Sequence, residues 1–337
     1  MPFIDEILKH KSLSIVGMEK NTGKTECLNY IIDRVKKSGK KIAVTSIGID
    51  GESVDILKNI KKPEIELYED IIFLTSENHY KCKTITAEIL DISTRKTPLG
   101  RLITARSINR GKVVFSGPSE TKWLAFCIKN LQAYDVNTTI VDGALSRISH
   151  ASPAITECMI LTTGAAVSTN LNQIIKKTLF TCNLLKIPAV TKEIHDLISG
   201  FENGIYALSE TGEFKKLSFS SSFLIEKHKE ELLKYSHTIY FTGILTDKVL
   251  RYLSIIDTFN DVKIIVRDFT CLFITPEALS FFKKQGGQLF VLYSTKLIAV
   301  CVNPISPDGF KLDSLRLQSE LSKALELPVY DIKNLRN

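Results

Sequence analysis

Gly23-Lys24-Thr25 closes a loop that opens at Gly17, and the loop between them, MEKNT, is short and polar apart from its first residue. Such a loop holds phosphate. Successive backbone N–H groups make an anion-binding concavity, and a helix beginning at Gly23 aims its positive dipole end at the same point. Lys24 is the group that reaches terminal phosphates, and the Thr25 hydroxyl is a ligand for Mg²⁺. Lys20, Asn21, Thr22, Gly23, Lys24, Thr25 and Glu26 are therefore expected to surround the β- and γ-phosphates of a nucleotide. A second group of residues could supply the metal side: Thr138-Thr139-Ile140-Val141-Asp142-Gly143 is a buried strand ending in a carboxylate. Ligands collect at strand carboxyl ends, where Asp142 would hold Mg²⁺ through water and Gly143 would let the backbone approach the γ-phosphate. The alternative for Asp142 is an acidic turn after a strand. Asp50-Gly51 follows another apolar strand and reads equally as a second carboxylate at this edge, catalytic or metal-linked, or as an ordinary Asp-Gly turn.

These residues need elements to position them. Leu13, Ile15 and Val16 form an apolar strand before the loop, and Cys27, Leu28, Tyr30, Ile31, Ile32 and Val35 recur at helical spacing after it, up to a stop at Ser38-Gly39. The stretch KKIAVTSIGIDGE predicts a buried strand. Residues 64–118 read as shorter strands without a long amphipathic helix, a β-rich insertion. Helices are expected at about 119–133 and 170–186, with strands at 137–143 and 157–164. This alternation predicts an α/β chain with a doubly wound, mainly parallel sheet. Residues 204–222 read as a hairpin, TIYFTGIL, KIIVRD and QLFVLYSTKLIAVCVNP as strands, and about 246–256, 276–284 and 313–326 as helices. The domains that follow are 1–222, a nucleotide-binding domain containing the 64–118 insertion, and 223–337, a smaller α/β domain.

Weaker candidates lie near the same edge. Ser116-Gly117-Pro118-Ser119 reads as a helix cap that could border a substrate pocket. Arg147 could meet a phosphate or a partner, or be an exposed loop arginine. Thr162-Thr163-Gly164-Ala165 could form a pocket floor or a turn, and Asn303-Pro304-Ile305-Ser306-Pro307, after the longest apolar run of the second domain, could touch the base or a partner or be a rigid loop.

The 337 residues, 44% hydrophobic and 24% charged, can bury a large core. No run of 18 apolar residues occurs and MPFIDEILKHK has no apolar signal core, so the reading is a cytoplasmic chain with no membrane partner. Seven cysteines at 27, 82, 127, 158, 182, 271 and 301 never fall in C-x-x-C spacing, which fits reduced core thiols better than a disulfide frame or metal cluster. A net charge of +7 is mild for this length, and the lysine-rich stretches at 36–41 and 58–62 read as solvated faces, with no nucleic-acid partner.

The variant loop GMEKNTGKT resembles that of the P-loop NTPases of the dethiobiotin synthetase and MinD-like class, and Asp142-Gly143-Ala144 is similar to the acidic strand end of the same class. The resemblance implies a P-loop type of sheet, ATP and Mg²⁺ as cofactors, and Asp50 as a metal-linked or water-orienting carboxylate, with Lys24, Asp50 and Asp142 as the catalytic set. Thr25, Asp142 and Asp50 would be the metal ligands. Lys20 is similar to the lysine with which MinD-like ATPases reach across a dimer, but stands four residues before Lys24 where theirs stands five, so a homodimer and a trans role remain open. KKIAVTSIGIDGE, RLITARSINRGKVVFSGPS, TTIVDGALSRISHASP and the terminal ELPVYDI resemble the ATP-binding reactivating-factor subunits of lysine 5,6-aminomutase. That likeness implies ATP-driven release of damaged cobalamin from the aminomutase, alongside a second, MutS-like ATPase subunit. The competing expectation is a dethiobiotin-synthetase-like ligase or kinase acting on a small acidic metabolite.

Overall fold

The computed structural model describes residues 2–48, 65–144, 155–209, 211–232, 235, 237–256 and 261–336. In chain order, a short helix α1 (Ile4–Ile7) precedes β1 (Ser12–Gly17), α2 (Lys24–Ser38) and β2 (Ile42–Ser46). Then come β3 (Ile65–Leu67), β4 (Ile72–Ser76), α3 (Glu77–Lys81), β5 (Ala87–Thr97), β6 (Gly100–Ser107), β7 (Gly111–Val113) and α4 (Thr121–Leu131). Next are β8 (Thr138–Ala144), β9 (Cys158–Gly164), α5 (Leu171–Leu185), α6 (Lys192–Ile198), β10 (Ile205–Leu208), β11 (Phe214–Lys216) and α7 (Lys229–Leu232). The chain continues through β12 (Thr238–Phe241), β13 (Leu245–Thr246), α8 (Asp247–Ser254), β14 (Lys263–Val266), β15 (Leu272–Phe273), α9 (Pro276–Lys284) and β16 (Gln288–Val291). It ends with β17 (Lys296–Asn303), α10 (Ser314–Leu325), β18 (Val329–Asp331) and α11 (Ile332–Arg336).

Two compact units result, one of Met1–Leu179 with Thr295–Asn337 and one of Phe180–Ser294. The first carries a nine-stranded sheet in the order β18-β17-β9-β1-β8-β2-β4-β6-β5. From β18 to β4 every pairing is parallel, and β6 and β5 are added antiparallel at one edge. The expected α/β chain with a large, mainly parallel sheet is therefore present. All six residues of β1 are buried, as a strand between parallel neighbours with both faces covered requires. Alternate residues serve opposite faces: Val44 and Ile140 join Leu28, Ile31 and Ile332 in one core, whereas Val141 packs with Leu124 and Ile128 of α4. α2 buries Cys27, Leu28, Tyr30, Ile31, Ile32 and Val35, and stops at Gly39, whose φ of 68° suits glycine.

The second unit has a sheet ordered β11-β10-β12-β14-β16, with β12, β14 and β16 parallel. Its core gathers Ile198, Tyr206, Tyr240, Ile265 and Leu292.

Three expectations change. Residues 64–118 are not set apart as an insertion, because β4, β6 and β5 extend the main sheet and only β3 and β7 pair separately. The hairpin of residues 204–222 belongs to the second unit's sheet, through Tyr206 opposite Tyr240. The division at 222/223 gives way to one inside α5 and a second at Ser294/Thr295. The apolar run 288–303 splits, β16 pairing with β14 and β17 with β9, so the chain end returns to the first unit.

Candidate functional site

β1 delivers the loop to the middle of the sheet, between β8 and β9, where the later strands begin to be laid down on the other side. Crevices at such reversals of strand order are where open α/β sheets take ligands. The loop folds tightly back on the strand end. A Cβ on Gly17 would stand 2.5 Å from Thr22 Oγ1 and 2.9 Å from Lys24 Cγ, so the aliphatic stem of Lys24 lies across Gly17 and only glycine leaves it room. Asn21 at φ 63° and Gly23 at φ 96° make the turn into α2. Thr22 is buried beneath it; its hydroxyl donates to Glu19 O at 3.0 Å and pairs with Thr162 Oγ1 at 2.8 Å. The Met18 N–H donates to Thr162 O at 2.9 Å, which anchors the start of the loop to β9.

No side chain caps α2, and its first intrahelical bond runs from Cys27 N to Gly23 O, so the amides of Lys24 and Thr25 precede the helix's own ladder. Lys24, Thr25 and Glu26 are half-buried, whereas Lys20 and Asn21 are exposed. The arrangement presents backbone donors, an ammonium group and a hydroxyl around one helix end, which is chemistry for an oxyanion.

Asp142 stands beside this loop. It is opposite Ile15 on one side and Ser46 on the other, and only 8% of it is exposed. Its backbone carbonyl accepts from Ile47 N at 3.2 Å and from Ser46 Oγ at 3.3 Å, fastening the ends of β8 and β2 together. A Cβ on Gly143 would find its nearest neighbour at 3.7 Å, so glycine there answers to no crowding within the chain. Asp50 and Arg147 lie outside the described residues.

Ser116 does not cap α4, whose N-cap is Glu120. Gly117 presses against β2, where a Cβ would come within 1.9 Å of Ser46 O, and this places the Ser116 hydroxyl at the end of β4. There Ser116 Oγ accepts from Ser76 N at 3.1 Å, donates to Ser76 Oγ at 2.6 Å and meets His79 Nδ1 at 3.0 Å. With the serine proton directed to Ser76, His79 Nδ1 is the donor and Nε2 the acceptor. Burial lowers the His79 pKa, which keeps the ring neutral.

Asn303, read from the sequence only as the start of a loop, holds the turn of the Gly17–Thr25 loop. At the end of β17 its Nδ2 donates to Asn21 O at 3.1 Å, its Oδ1 accepts from Ile305 N at 3.3 Å, and its Cβ would lie 3.2 Å from a Cβ on Gly23. A strand more than 270 residues downstream thus clamps the loop's turn, and the only sequence signal was an asparagine closing an apolar run. Thr178 of α5 is an omission from the sequence reading, donating to Met18 Sδ at 3.4 Å and pairing with Thr163 Oγ1 at 3.0 Å. Gly164, at φ 145°, lets β9 pass the Asn303 carbonyl, which would sit 1.9 Å from a Cβ. Cys27 of α2 and Cys301 of β17 touch at 3.8 Å between sulfurs, and the hydrogen bond to Cys301 and burial raise the Cys27 pKa, so Cys27 is a packed thiol.

No family model matches the chain, and no curated protein matches it. No helix among the described residues is long and apolar enough to cross a membrane.

Proposed function

We propose that the chain binds Mg-ATP on the Gly17–Thr25 loop in the manner of the P-loop NTPases and hydrolyses it. One observation carries the reading: the aliphatic stem of Lys24 is laid across Gly17 at the start of α2, beside a buried Thr22, and no side chain caps that helix end. Lys24 would hold the terminal phosphates, and the amides of Lys24 and Thr25 would bind their oxygens. The Thr25 hydroxyl and the Asp142 carboxylate are hard oxygen donors on adjacent elements, which suits Mg²⁺. Among the described residues no three His, Cys, Asp or Glu side chains form a cage, so phosphate oxygens and water would complete its shell. The cation would neutralise charge developing on the phosphates. Asp50 is the proposed water-orienting carboxylate.

Hydrolysis then serves remodelling of a partner, in line with the resemblance to aminomutase reactivating factors: release of damaged cobalamin from lysine 5,6-aminomutase, together with a MutS-like subunit, in the cytoplasm. A second reading, in line with the resemblance to dethiobiotin synthetase, is a ligase or kinase that transfers the phosphoryl group to a small acidic metabolite.

Calorimetry with Lys24→Ala tests the shared core of both readings. The variant should bind Mg-ATP about 2 kcal/mol more weakly, since hydrogen bonds to charged groups contribute roughly 1.5–3 kcal/mol. Equal affinity would remove the nucleotide assignment. Phosphate release and recovered mutase activity on adding inactivated aminomutase, against release stimulated by a panel of small acids, then separates remodelling from transfer.

A further inference from the structure

A cavity of about 500 Å³ opens in the first unit between α4 and the edge of the sheet formed by β4, β6 and β5. It lies apart from the Gly17–Thr25 loop, and its construction is specific. β5 and β6 are in register at Ile92 opposite Ile103 and again at Lys96 opposite Arg101, so Ser93, Thr94 and Arg95 face the single residue Leu102. Ser93 repairs the broken ladder: its hydroxyl accepts from Leu102 N at 2.9 Å and donates to Arg95 O at 2.7 Å. The bulge becomes the lip of the cavity and throws Arg95 over the ring of Trp123, 4.3 Å from its centroid. Bulges that re-aim a side chain in this way are typical beside functional sites.

Leu74 and Leu102 form an apolar floor, while Trp123, Phe126 and Tyr134 contribute aromatic walls. Phe126 is 60% exposed at the mouth, and Ile92 beside it is 40% exposed. Four charged residues line the cavity, Asp91, Arg95, Glu120 and Lys122, two of each sign, and Arg95 pairs with Glu120 at 2.7 Å with both side chains more than half exposed. The lining therefore has no surplus of either sign to attract an ion, and an ion drawn down onto the apolar floor would lose hydration. The volume falls in the range of small-molecule cavities, roughly 300–1,000 Å³. An added peptide strand is disfavoured, because β5 breaks register twice, between Ile89 and Asp91 and between Ile92 and Lys96, and bulges of this kind blunt an edge against pairing.

We infer that this cavity is a binding site for an uncharged, planar aromatic molecule, held against Phe126, Tyr134 and the small exposed part of Trp123 and bounded by the Arg95–Glu120 pair. The chain has one tryptophan, Trp123, so its intrinsic emission reports this site alone. Titration of the full chain with 2-naphthol, neutral at pH 7, should quench Trp123 saturably, and naphthalene-2-sulfonate should bind about tenfold more weakly or not at all. Phe126→Ala, a change at an exposed position, should weaken 2-naphthol binding roughly five- to tenfold, within the range of an aromatic pair. Equilibrium dialysis of 2-naphthol checks the affinity without relying on emission. Quenching that never saturates, equal affinity for the sulfonate, or no effect of Phe126→Ala would each overturn the assignment.

Discussion

Asp142 and Asp268 stand near the carboxyl ends of parallel strands in different units, and their surroundings differ in kind. Asp268 follows β14 and is fully buried. Its Oδ1 accepts from Thr270 N at 2.9 Å and from the Thr270 hydroxyl, its Oδ2 accepts from Arg267 Nε at 3.1 Å, and it caps the turn Phe269–Cys271. For Asp142 the bonds that join β8 to β2 fall on the backbone carbonyl, and the residue lies on the strand next to the Gly17–Thr25 loop. A strand-end carboxylate therefore carries no function by position alone. One is absorbed into a turn of its own fold; the other borders a helix end that no side chain caps.

If that contrast is right, the two aspartates fail differently when removed. Asp268→Ala should give the largest effect, a loss of about 2–3 kcal/mol in stability, because the buried Thr270 amide and hydroxyl lose their acceptor while the partly exposed Arg267 is left to water. Mg-ATP affinity should be unchanged at a temperature where the variant is folded. Urea unfolding and calorimetry on the same samples check both halves, and a stability loss well under 1 kcal/mol would break the comparison.

Asp142→Asn should do the reverse. Turnover at saturating Mg-ATP is expected to drop on the order of 10²-fold while nucleotide affinity is largely kept, since the loop amides remain in place. Unchanged turnover would return Asp142 to a purely structural role beside Asp268.

Asn303→Ala sharpens the site side of the contrast. It removes one hydrogen bond to the loop, worth about 1 kcal/mol, so Mg-ATP should bind roughly fivefold more weakly with the chain still folded. Wild-type affinity in this variant would show that the loop holds its turn without β17.

The smallest effect belongs to a pair that only joins surface elements. Hydrogen bonds from Lys296 and Lys9 pull the Glu6 pKa from its ordinary 4.5 to about 2. A depressed folded-state value stabilises the fold above the unfolded pKa and loses that stabilisation as pH falls through the folded one. Wild type should therefore exceed Glu6→Gln in stability above about pH 4.5 and converge with it towards pH 2. The difference should be small at any pH and vanish in high salt, as Glu6 is partly exposed and both lysines are well exposed.

The local features of the site were legible because short-range geometry dictates them. A buried strand, two glycines at turn positions and a helix with an apolar stripe are specified by neighbours a few residues apart, and α2 runs from Lys24 to a stop at Gly39 as its periodicity and glycine require. The same holds for α9, where Thr275 accepts from Ala278 N and Pro276 opens the helix. A parallel sheet followed from strands alternating with helices.

What the sequence by itself determined was thus the kind of the longer elements, those around the loop above all, and the residue types at the loop; strand partners were decided only by the tertiary structure. Residues 288–303 show the reason. An apolar run with both faces buried carries no mark of which sheet it enters, and here its two halves enter different ones, which moved the unit boundary from 222 to within α5 and returned β17 and β18 to the first sheet. Asn303 at the loop, Ser116 against His79 and the bulge that lays Arg95 over Trp123 all depend on such long-range pairings. Each joins residues whose proximity arises only once the strands between them have chosen neighbours.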